Sequence, residues 1–516
     1  MGQGTSGSLL NLAKRLSGSF GVIAFCLGLG SVPAYSALLG GMGDVLLSLL
    51  PIGLLALFYT RLLRVENGKR AFLMGFCYGL GLFLGGVSWI YVSLSDFAAI
   101  PSPLAALMTL LFSSVLAFFP ALAAYVFYRL AKAIPASFVT PFIFAGCFTL
   151  GELLRGSVLT GFPWLALGYS QADSPLAGYA GIVGVYGVGF CAALTAAWLA
   201  IFRQKHWGTY LACFILWGGG LALAQIEWTS PEGEPISVTL LQGNVPQSLK
   251  WQPGQLAETL YLYREMILEH PAQLVLLPET AFPTFLDRLP PEYLAELRGA
   301  LTNVGGDLLL GIPTRAAGSE EVTHYYNSAV SLGTSPDQHY AKRHLVPYGE
   351  FIPPGFRWFL RLANIPLTDF TAGERSQSPL AIAGTRVAIS ICYEDLFGEE
   401  TLDFLPEAAL LVNLSNTAWF GRSLAPGQHL QIARMRALET GRPVLRAGNT
   451  GVTALITPKG HVAAALPTFT RAALRVETPG YSGSTPYIHL GNWPAILLVL
   501  AACLLPFVLP RLRLGK

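Results

Sequence analysis

The sequence predicts two fold classes in one chain: a polytopic α-helical membrane domain and a large α/β domain. Of 516 residues, 53% are hydrophobic and only 12% are charged, whereas ordinary soluble domains carry about 25% charged residues. The apolar residues concentrate in long runs on either side of a central stretch of mixed composition. A net charge of +3 without a basic cluster argues against a nucleic-acid partner.

Eight apolar runs have lengths near the ~20 residues that a helix needs to cross a bilayer. They lie near positions 18–38, 44–61, 71–94, 103–128, 138–154, 177–202, 207–226 and 491–510. The predicted domains are therefore a membrane domain of seven spans over 1–228, a domain over 229–486, and an eighth span with a basic tail over 487–516. Few ionisable residues lie deep within these runs, which disfavours an ion-coupled transporter.

The lysines and arginines between the runs predict an orientation, because such residues accumulate in short cytoplasmic loops. With the N-terminus in the cytoplasm, the opposite short loops hold only Arg155. The cytoplasmic segments hold Lys14, Arg15, Arg61, Arg64, Lys69, Arg70, Arg129, Lys132, Arg203, Lys205, Arg511, Arg513 and Lys516. This asymmetry places 229–486 on the outer side of the membrane.

Strand-like and helical patterns alternate within 229–486. Strands are predicted at 236–241, 273–277, 307–312, 325–332, 387–391, 409–414, 444–446 and 453–456. Helices are predicted at 255–269, 291–302 and 425–440. The pattern indicates an α/β sandwich of about 250 residues, which is large enough to bury its own core.

Three reactive residues follow strand-like runs in this domain. Cys392 ends an alternating Val/Ile strand, whereas the other six cysteines lie in long apolar runs. Glu279 follows the apolar run 274–277, and Lys342 follows Tyr340 and Ala341. Because strand ends gather at one edge of such a sheet, the three side chains can converge. A base such as Glu279 could deprotonate the thiol, and Lys342 together with a backbone N–H could stabilise an oxyanion.

Each of these residues also has a plain structural interpretation. Cys392 could be a buried structural thiol, Glu279 could cap a following helix, and Lys342 could be a solvated strand-end charge. The histidines outside the first seven runs lack paired ligand spacing, which disfavours a metal site. Seven cysteines without paired spacing disfavour a disulfide framework.

Three motifs carry a resemblance to a known family: Pro278-Glu279-Thr280-Ala281, the run from Lys342 to Glu350, and Ile391-Cys392-Tyr393-Glu394. They resemble the Glu, Lys and Cys signatures of the nitrilase superfamily. With eight spans around this domain, the chain resembles the apolipoprotein N-acyltransferases of bacterial inner membranes. The stretches 161–171, 241–251 and 446–451 are also similar to that family.

The resemblance implies an α-β-β-α sandwich and a two-step acyl exchange. Cys392 would take an acyl chain from a phospholipid, typically phosphatidylethanolamine, as a thioester. The α-amine of the S-diacylglyceryl cysteine of a diacylated apolipoprotein would then accept the chain. Glu279 would act as the base and Lys342 would stabilise both oxyanions, with no metal or diffusible cofactor. The implied location is the bacterial inner membrane, with the catalytic domain on the periplasmic side.

The resemblance also implies five supporting or substrate-binding residues: Glu350, Tyr393, Glu394, Trp251 and Trp164. Glu350 would hold Lys342 or the base in position, and Tyr393 and Glu394 would form the wall and the oxyanion side of the pocket. Trp251 would gate the acyl chains.

Two other functions remain open from the sequence. A membrane-bound amidase or nitrilase-like hydrolase would use the same residues with water as the acceptor. A binding or scaffold protein would carry an inactive enzyme-like domain.

The segment 353–373, with phenylalanines at helical spacing and two arginines one turn apart, predicts an interfacial helix acting as a lid beside the site. A core-packed insertion helix would show the same apolar periodicity.

Overall fold

The computed structural model describes residues 20–36, 41–132, 139–201, 207–252, 254–316, 324–352 and 369–514. The chain forms two compact units. The first contains the residues up to Ser88, Pro103–Gln225 and the residues from Asn492 onward. The second contains Trp89–Ser102 and Ile226–Gly491. The predicted lid helix falls largely on 353–368, which lies outside the described residues.

The first unit is helical. Within the part of the chain that the structure describes, four helices are long and apolar enough to cross a membrane: Met42–Leu62, Ser102–Ala131, Thr140–Thr160 and Pro175–Ile201. Three shorter apolar helices are Phe20–Tyr35, Trp207–Leu223 and Trp493–Val508. A fifth candidate span consists of Gly68–Gly86 and Trp89–Phe97, which are bent by 50° at a short break. Each predicted apolar run contains one of these elements, so the helical fold class is confirmed, while the number of eight spans stays a prediction.

Small residues decide how the helices of this unit pack. A Cβ added at Gly75 would lie 2.4 Å from the carbonyl oxygen of Pro120, and one at Gly79 would lie 2.9 Å from the Cα of Ala117. The helices Gly68–Gly86 and Ser102–Ala131 therefore approach each other closely along a glycine face, as is typical of membrane helices. The bend after Gly86 follows a pair of glycines, a common site of helix kinks.

Among its described residues, the second unit has twelve strands in two six-stranded sheets. The strands are β1 (Thr229–Gln242), β2 (Leu274–Leu276), β3 (Asp307–Arg315), β4 (Tyr325–Gly333), β5 (His339–Ala341), β6 (Leu380–Ile382), β7 (Thr385–Ile391), β8 (Leu410–Ser415), β9 (Val444–Gly448), β10 (Ala454–Ile456), β11 (Val462–Ala465) and β12 (Ala472–Gly483). The first sheet has the order β12-β1-β2-β3-β4-β5, and the second has the order β11-β10-β9-β8-β7-β6. The central strands β1-β2-β3 and β7-β8-β9 run parallel, and the outer pairs are antiparallel.

Helices cover the outer faces of the sheets. Gln255–Glu269 and Pro291–Thr302 share one apolar core with the first sheet, and Ala425–Thr440 packs on β9 and β10. The two sheets are also connected by hydrogen bonds, for example from Ala383 N, directly after β6, to Asp307 Oδ2 at the start of β3, at 2.7 Å. These four layers confirm the predicted α-β-β-α sandwich. Shorter helices lie at Gln247–Lys250, Gly398–Thr401 and Pro486–Leu490.

The helical and strand patterns were informative where one face of an element is apolar. All three predicted helices of this unit have the predicted bounds, and all eight predicted strands are present. The strands that the patterns missed are β5, β6, β11 and β12. β12 is an edge strand whose residues are mostly exposed or half-buried, and its alternation of apolar and charged residues is confined to Leu474–Glu477.

Candidate active site

The three reactive residues follow the ends of three strands. Lys342 comes directly after β5 and Cys392 directly after β7, while Glu279 lies three residues beyond β2. Lys342 Nζ is 3.7 Å from Glu279 Oε1, and the charges of both residues act on the Cys392 thiol. The structure therefore brings all three together, at one edge of the paired sheets.

Glu279 is held from two sides. Its Oε1 accepts a hydrogen bond from Asn327 Nδ2 at 2.8 Å, and its Oε2 accepts one from the backbone N–H of Asn416 at 3.0 Å. The residue is 8% exposed, and turns rather than a helix follow it. Glu279 is thus not a helix cap. Its carboxylate has a fixed orientation at the site.

Lys342 is a fully buried cation, with 0% exposure. Its Nζ lies 2.9 Å from Glu350 Oε1 and 2.8 Å from Glu350 Oε2. Burial by itself would lower the pKa of Lys342, but the charges of Glu350 and Glu279 outweigh it and hold the pKa above its ordinary value. The side chain therefore stays charged at neutral pH, and the interpretation as a solvated strand-end charge is wrong.

Glu350 connects the cation to the base. Asn327 Nδ2 donates to Glu350 Oε1 at 2.7 Å as well as to Glu279, and the backbone N–H of Val346 donates to Glu350 Oε2 at 2.8 Å. One amide on β4 thus fixes both carboxylates relative to Lys342. The positioning role that the family resemblance implies for Glu350 stays a prediction.

Cys392 has a strained backbone. Its φ is 53°, in the left-handed region that residues other than glycine rarely adopt. Its carbonyl oxygen accepts a hydrogen bond from Asn413 Nδ2 at 3.2 Å and lies 3.2 Å from His429 Nε2. These contacts hold the turn that follows β7. Cys392 as a whole is half-buried, and protein atoms surround its thiol closely enough to desolvate it.

The surroundings keep the Cys392 sulphur protonated at rest. Desolvation, followed by the charge of Glu279, raises the pKa of the Cys392 thiol to about 12, although Lys342 and a hydrogen bond from Ser415 act in the opposite direction. Cys392 is therefore a neutral thiol at neutral pH. A thiol that attacks a carbonyl carbon needs a base, and Glu279 is a carboxyl group close enough for its charge to act on this thiol.

Comparison with known proteins identifies the family. The chain is 47% identical over 484 residues to an apolipoprotein N-acyltransferase of Nitrosomonas europaea, covering 92% of this chain and 95% of that protein. The chain belongs to the apolipoprotein N-acyltransferase family. A relative of the same name from Chromobacterium violaceum is 42% identical and covers 98% of this chain and 95% of that protein.

Two family profiles divide the chain between them. One, described as the apolipoprotein N-acyltransferase N-terminal domain, matches residues 44–198, and one described as carbon-nitrogen hydrolase matches residues 237–486. The predicted family and superfamily are thus confirmed. A carbon-nitrogen hydrolase from Helicobacter pylori G27 aligns at 17% identity and a TM-score of 0.35, over 47% of this chain and 89% of that chain.

Glu394 lies inside the protein in this member of the apolipoprotein N-acyltransferase family. Its Oε1 accepts hydrogen bonds from Tyr340 Oη at 2.8 Å and from the backbone N–H of Arg343 at 2.7 Å. Its Oε2 accepts one from the backbone N–H of Ile391 at 2.7 Å. Burial raises the pKa of the Glu394 carboxyl above its ordinary value, while Lys342 and these hydrogen bonds act in the opposite direction. Glu394 therefore ties the turn at Lys342 to the turn at Cys392.

The other implied supporting residues lie in different surroundings. The Tyr393 ring packs edge-on against Phe397, at 5.3 Å between centroids. Trp251 is half-buried at the end of the Gln247–Lys250 helix. Trp164 belongs to the helical unit, where its carbonyl accepts a hydrogen bond from Arg155 at 2.5 Å.

Lys250 is a second buried lysine beside Glu279, and no sequence motif singles it out. Its Nζ lies 3.5 Å from the Glu279 backbone oxygen. Burial lowers the pKa of Lys250 to about 8, against the opposing effect of Glu279. Lys250 is adjacent to Trp251, so the helix Gln247–Lys250 connects Trp251 with the surroundings of Glu279.

Sequence reasoning also missed the amides around the site. Asn327, Asn413 and Asn416 are all buried and lie in or directly after apolar strands. A polar side chain inside a buried strand needs a hydrogen-bond partner. An asparagine within an apolar strand is therefore a signal that can be read from the sequence. The identity of that partner depends on how distant strands pair.

Replacing Asn327 with alanine should slow acyl transfer about ten- to hundredfold, because the amide holds two charged carboxylates and such hydrogen bonds contribute about 1.5–3 kcal/mol. The rate should be measured with saturating donor, so that weaker lipid binding does not mask the effect. Asn303→Ala, at an exposed helix end, is the matched control. Equal rates for the two variants would show that Glu279 and Glu350 hold their positions without this amide.

Proposed function

We propose that this protein transfers an acyl chain from a phospholipid, through a Cys392 thioester, to the N-terminal α-amine of an S-diacylglyceryl-cysteine apolipoprotein. The single observation that carries the proposal is the meeting of Glu279, a charged Lys342 and the Cys392 thiol in a chain 47% identical to a named apolipoprotein N-acyltransferase. The protein is an N-acyltransferase. Phosphatidylethanolamine is the proposed donor.

In the first half-reaction, Glu279 takes the thiol proton while the Cys392 sulphur bonds to the ester carbonyl carbon of the phospholipid. The negative charge that forms on the carbonyl oxygen is stabilised by Lys342, which carries its proton at neutral pH. When the intermediate collapses, the ester C–O bond breaks and Glu279 returns the proton to the departing glycerol oxygen. The products are an acyl-Cys392 thioester and a lysophospholipid.

In the second half-reaction, the neutral α-amine of the apolipoprotein attacks the thioester carbon. Glu279 accepts a proton from the nitrogen, and Lys342 again faces the oxyanion. The C–S bond then breaks, and Glu279 returns the proton to the Cys392 thiolate. The enzyme regains its starting state and the acceptor carries a third acyl chain.

The supporting residues hold or surround the three reactive residues. Glu350 and Asn327 hold Lys342 and Glu279, as their hydrogen bonds indicate. Glu394 keeps the turns of Lys342 and Cys392 together. We assign Tyr393 to the wall beside the sulphur, Trp251 to a gate for the acyl chains, and Trp164 to a substrate-binding role in the helical unit.

The proposed setting is the bacterial inner membrane, with residues 229–486 on the periplasmic side between the membrane domain 1–228 and an eighth span in 487–516. The lysine and arginine asymmetry of the loops supports this orientation. Both substrates carry lipid chains, and attaching a domain at both of its ends to the bilayer raises the effective concentration of substrates in that bilayer. We propose that helices of the membrane domain shape the lateral entrance for lipid.

A trapped acyl-enzyme tests the proposal. The protein is incubated with phosphatidylethanolamine of known chains, and mass spectrometry of the Cys392 peptide detects the thioester. A diacylated lipopeptide with a free α-amine is then added, beside the same lipopeptide with an acetylated amine. We expect rapid discharge by the free amine and slow discharge by the acetylated control and by water.

Two results would contradict the proposal. Discharge by water at the same rate as by the free amine would support the hydrolase instead. The absence of any lipid-derived mass on Cys392 would exclude the thioester.

A further inference from the structure

The pairing of β7 with β8 places one more side chain against the nucleophile. The two strands are parallel, and Ile391 lies opposite Leu414. The next residues along the two strands, Cys392 and Ser415, are therefore neighbours. Ser415 is fully buried, with 0% exposure, so its hydroxyl has to find its partners within the protein.

Arg446 supplies one of these partners. It lies on β9, next to β8, and is buried. Its Nη2 donates to Ser415 Oγ at 3.2 Å, and its Nη1 donates to Asn413 Oδ1 at 2.7 Å. A guanidinium can only donate hydrogen bonds. The Ser415 oxygen therefore accepts from Arg446, which leaves the Ser415 hydroxyl proton available to donate to another atom.

We propose that Ser415 is a further catalytic residue, whose hydroxyl group donates a hydrogen bond to the Cys392 sulphur. Arg446 is a positioning residue, because its own hydrogen bond to the Ser415 oxygen polarises this hydroxyl. The direction of the hydrogen bond agrees with its effect on the thiol, since the Ser415 contact acts to lower the pKa of Cys392 while desolvation raises it. A donor of this kind stabilises the thiolate more than the thiol.

A hydrogen-bond donor to the Cys392 sulphur would stabilise negative charge on that sulphur in both half-reactions. Sulphur carries negative charge as Glu279 removes its proton in the first step, and again as the C–S bond breaks in the second. Lys342 is assigned to the carbonyl oxygen, so the sulphur needs stabilisation of its own. The charge of Arg446 is partly balanced by Asp395, whose Oδ2 lies 3.2 Å from Arg446 Nη1. Arg446 can therefore polarise the Ser415 hydroxyl without being an uncompensated buried charge.

This inference rests on the proposed function for its purpose, but its test does not need acyl transfer. After neutral hydroxylamine has removed any bound acyl group, the full-length protein in detergent is treated with iodoacetamide over a range of mildly alkaline pH. Mass spectrometry of the Cys392 peptide gives the alkylation rate of this cysteine alone. The rate follows the thiolate fraction, because the thiolate is the nucleophile.

Ser415→Ala should lower the alkylation rate of Cys392 about tenfold at a fixed pH below the midpoint, since loss of a hydrogen bond to a charged group corresponds to about one pKa unit or more. The rate should fall by a similar factor at every pH in the mildly alkaline range, because all of these pH values lie below the midpoint. Ser331→Ala, a buried serine of β4 bonded to Gln338, is the matched control and should leave the rate unchanged. Arg446→Lys, which keeps the charge, should lower the rate less than Ser415→Ala.

A purely structural Ser415 would give a different result. Ser415→Ala would then reduce thermal stability without altering the pH profile of alkylation, and that outcome overturns the proposal. Should the alanine variant not fold, Ser415→Thr and Ser415→Val have nearly the same shape and differ in the hydroxyl. Faster alkylation in the threonine variant supports the proposal, and equal rates overturn it. Failure to detect a thioester on wild-type Cys392 would instead refute the proposed function and leave this readout intact.

Discussion

Cys392→Ser is expected to abolish acyl transfer and to leave the protein folded. An alcohol has a much higher pKa than a thiol, so Glu279 cannot generate the nucleophile at a site built for sulphur. The loss should be on the order of 10⁴-fold or more, as for removal of other covalent nucleophiles. The exchange changes one atom, and the strained turn is held through the Cys392 carbonyl, which the variant retains.

The measurement has two parts: turnover of a fluorescent diacylated lipopeptide in phospholipid vesicles, and a thermal unfolding curve. Cys213→Ser is the matched control, because Cys213 lies in the apolar helix Trp207–Leu223 of the helical unit and no step of the reaction uses it. Wild-type turnover in Cys392→Ser would end its assignment as the nucleophile. Loss of turnover together with loss of folding would support only a structural role.

The sequence predicts elements well where each element is decided by its own residues. The helices Gln255–Glu269, Pro291–Thr302 and Ala425–Thr440 have the predicted bounds because their sequences carry the periodicity and the end signals of helices. The strands β5 and β6 have three residues each, too few for a pattern. They form because a longer neighbour, β4 or β7, offers hydrogen bonds to them.

Contacts between distant parts of the chain explain what the sequence could not predict. The sequence predicts one span over the apolar run 71–94, which stays a prediction, but it does not predict the 50° bend between Gly68–Gly86 and Trp89–Phe97. Trp89 lies in the α/β unit. Its indole Nε1 donates to Gln428 Oε1 at 3.1 Å, across 339 residues. No local pattern contains such a partner.

The candidate site also contains residues that local sequence predicts and residues that depend on contacts between distant parts of the chain. Cys392, Glu279 and Lys342 could be proposed because each follows a strand and because the motifs around them resemble a known family. The residues that orient them could not be proposed, because Asn327 meets Glu279 only through the pairing of β2, β3 and β4. Ser415 meets Cys392 only through the register of β7 and β8.

Lys342→Met should slow acyl transfer by about 10²–10³-fold, comparable to loss of one oxyanion-hole donor. Because Lys342 also lowers the pKa of the Cys392 thiol, the variant should alkylate more slowly at a given pH as well. Lys459→Met is the matched control, since Lys459 is exposed and pairs with Glu227 at 3.4 Å. Its activity should be unchanged.

The stability of Lys342→Met needs separate treatment, because the variant leaves the Glu350 carboxylate without its buried cation, and an unpaired buried charge is strongly destabilising. The double variant Lys342→Met with Glu350→Gln removes that charge and should recover much of the lost thermal stability while acyl transfer stays low. Recovery of both stability and activity in the double variant would show that Lys342 serves only to neutralise Glu350. Near-normal activity in Lys342→Met itself would remove Lys342 from the reaction altogether.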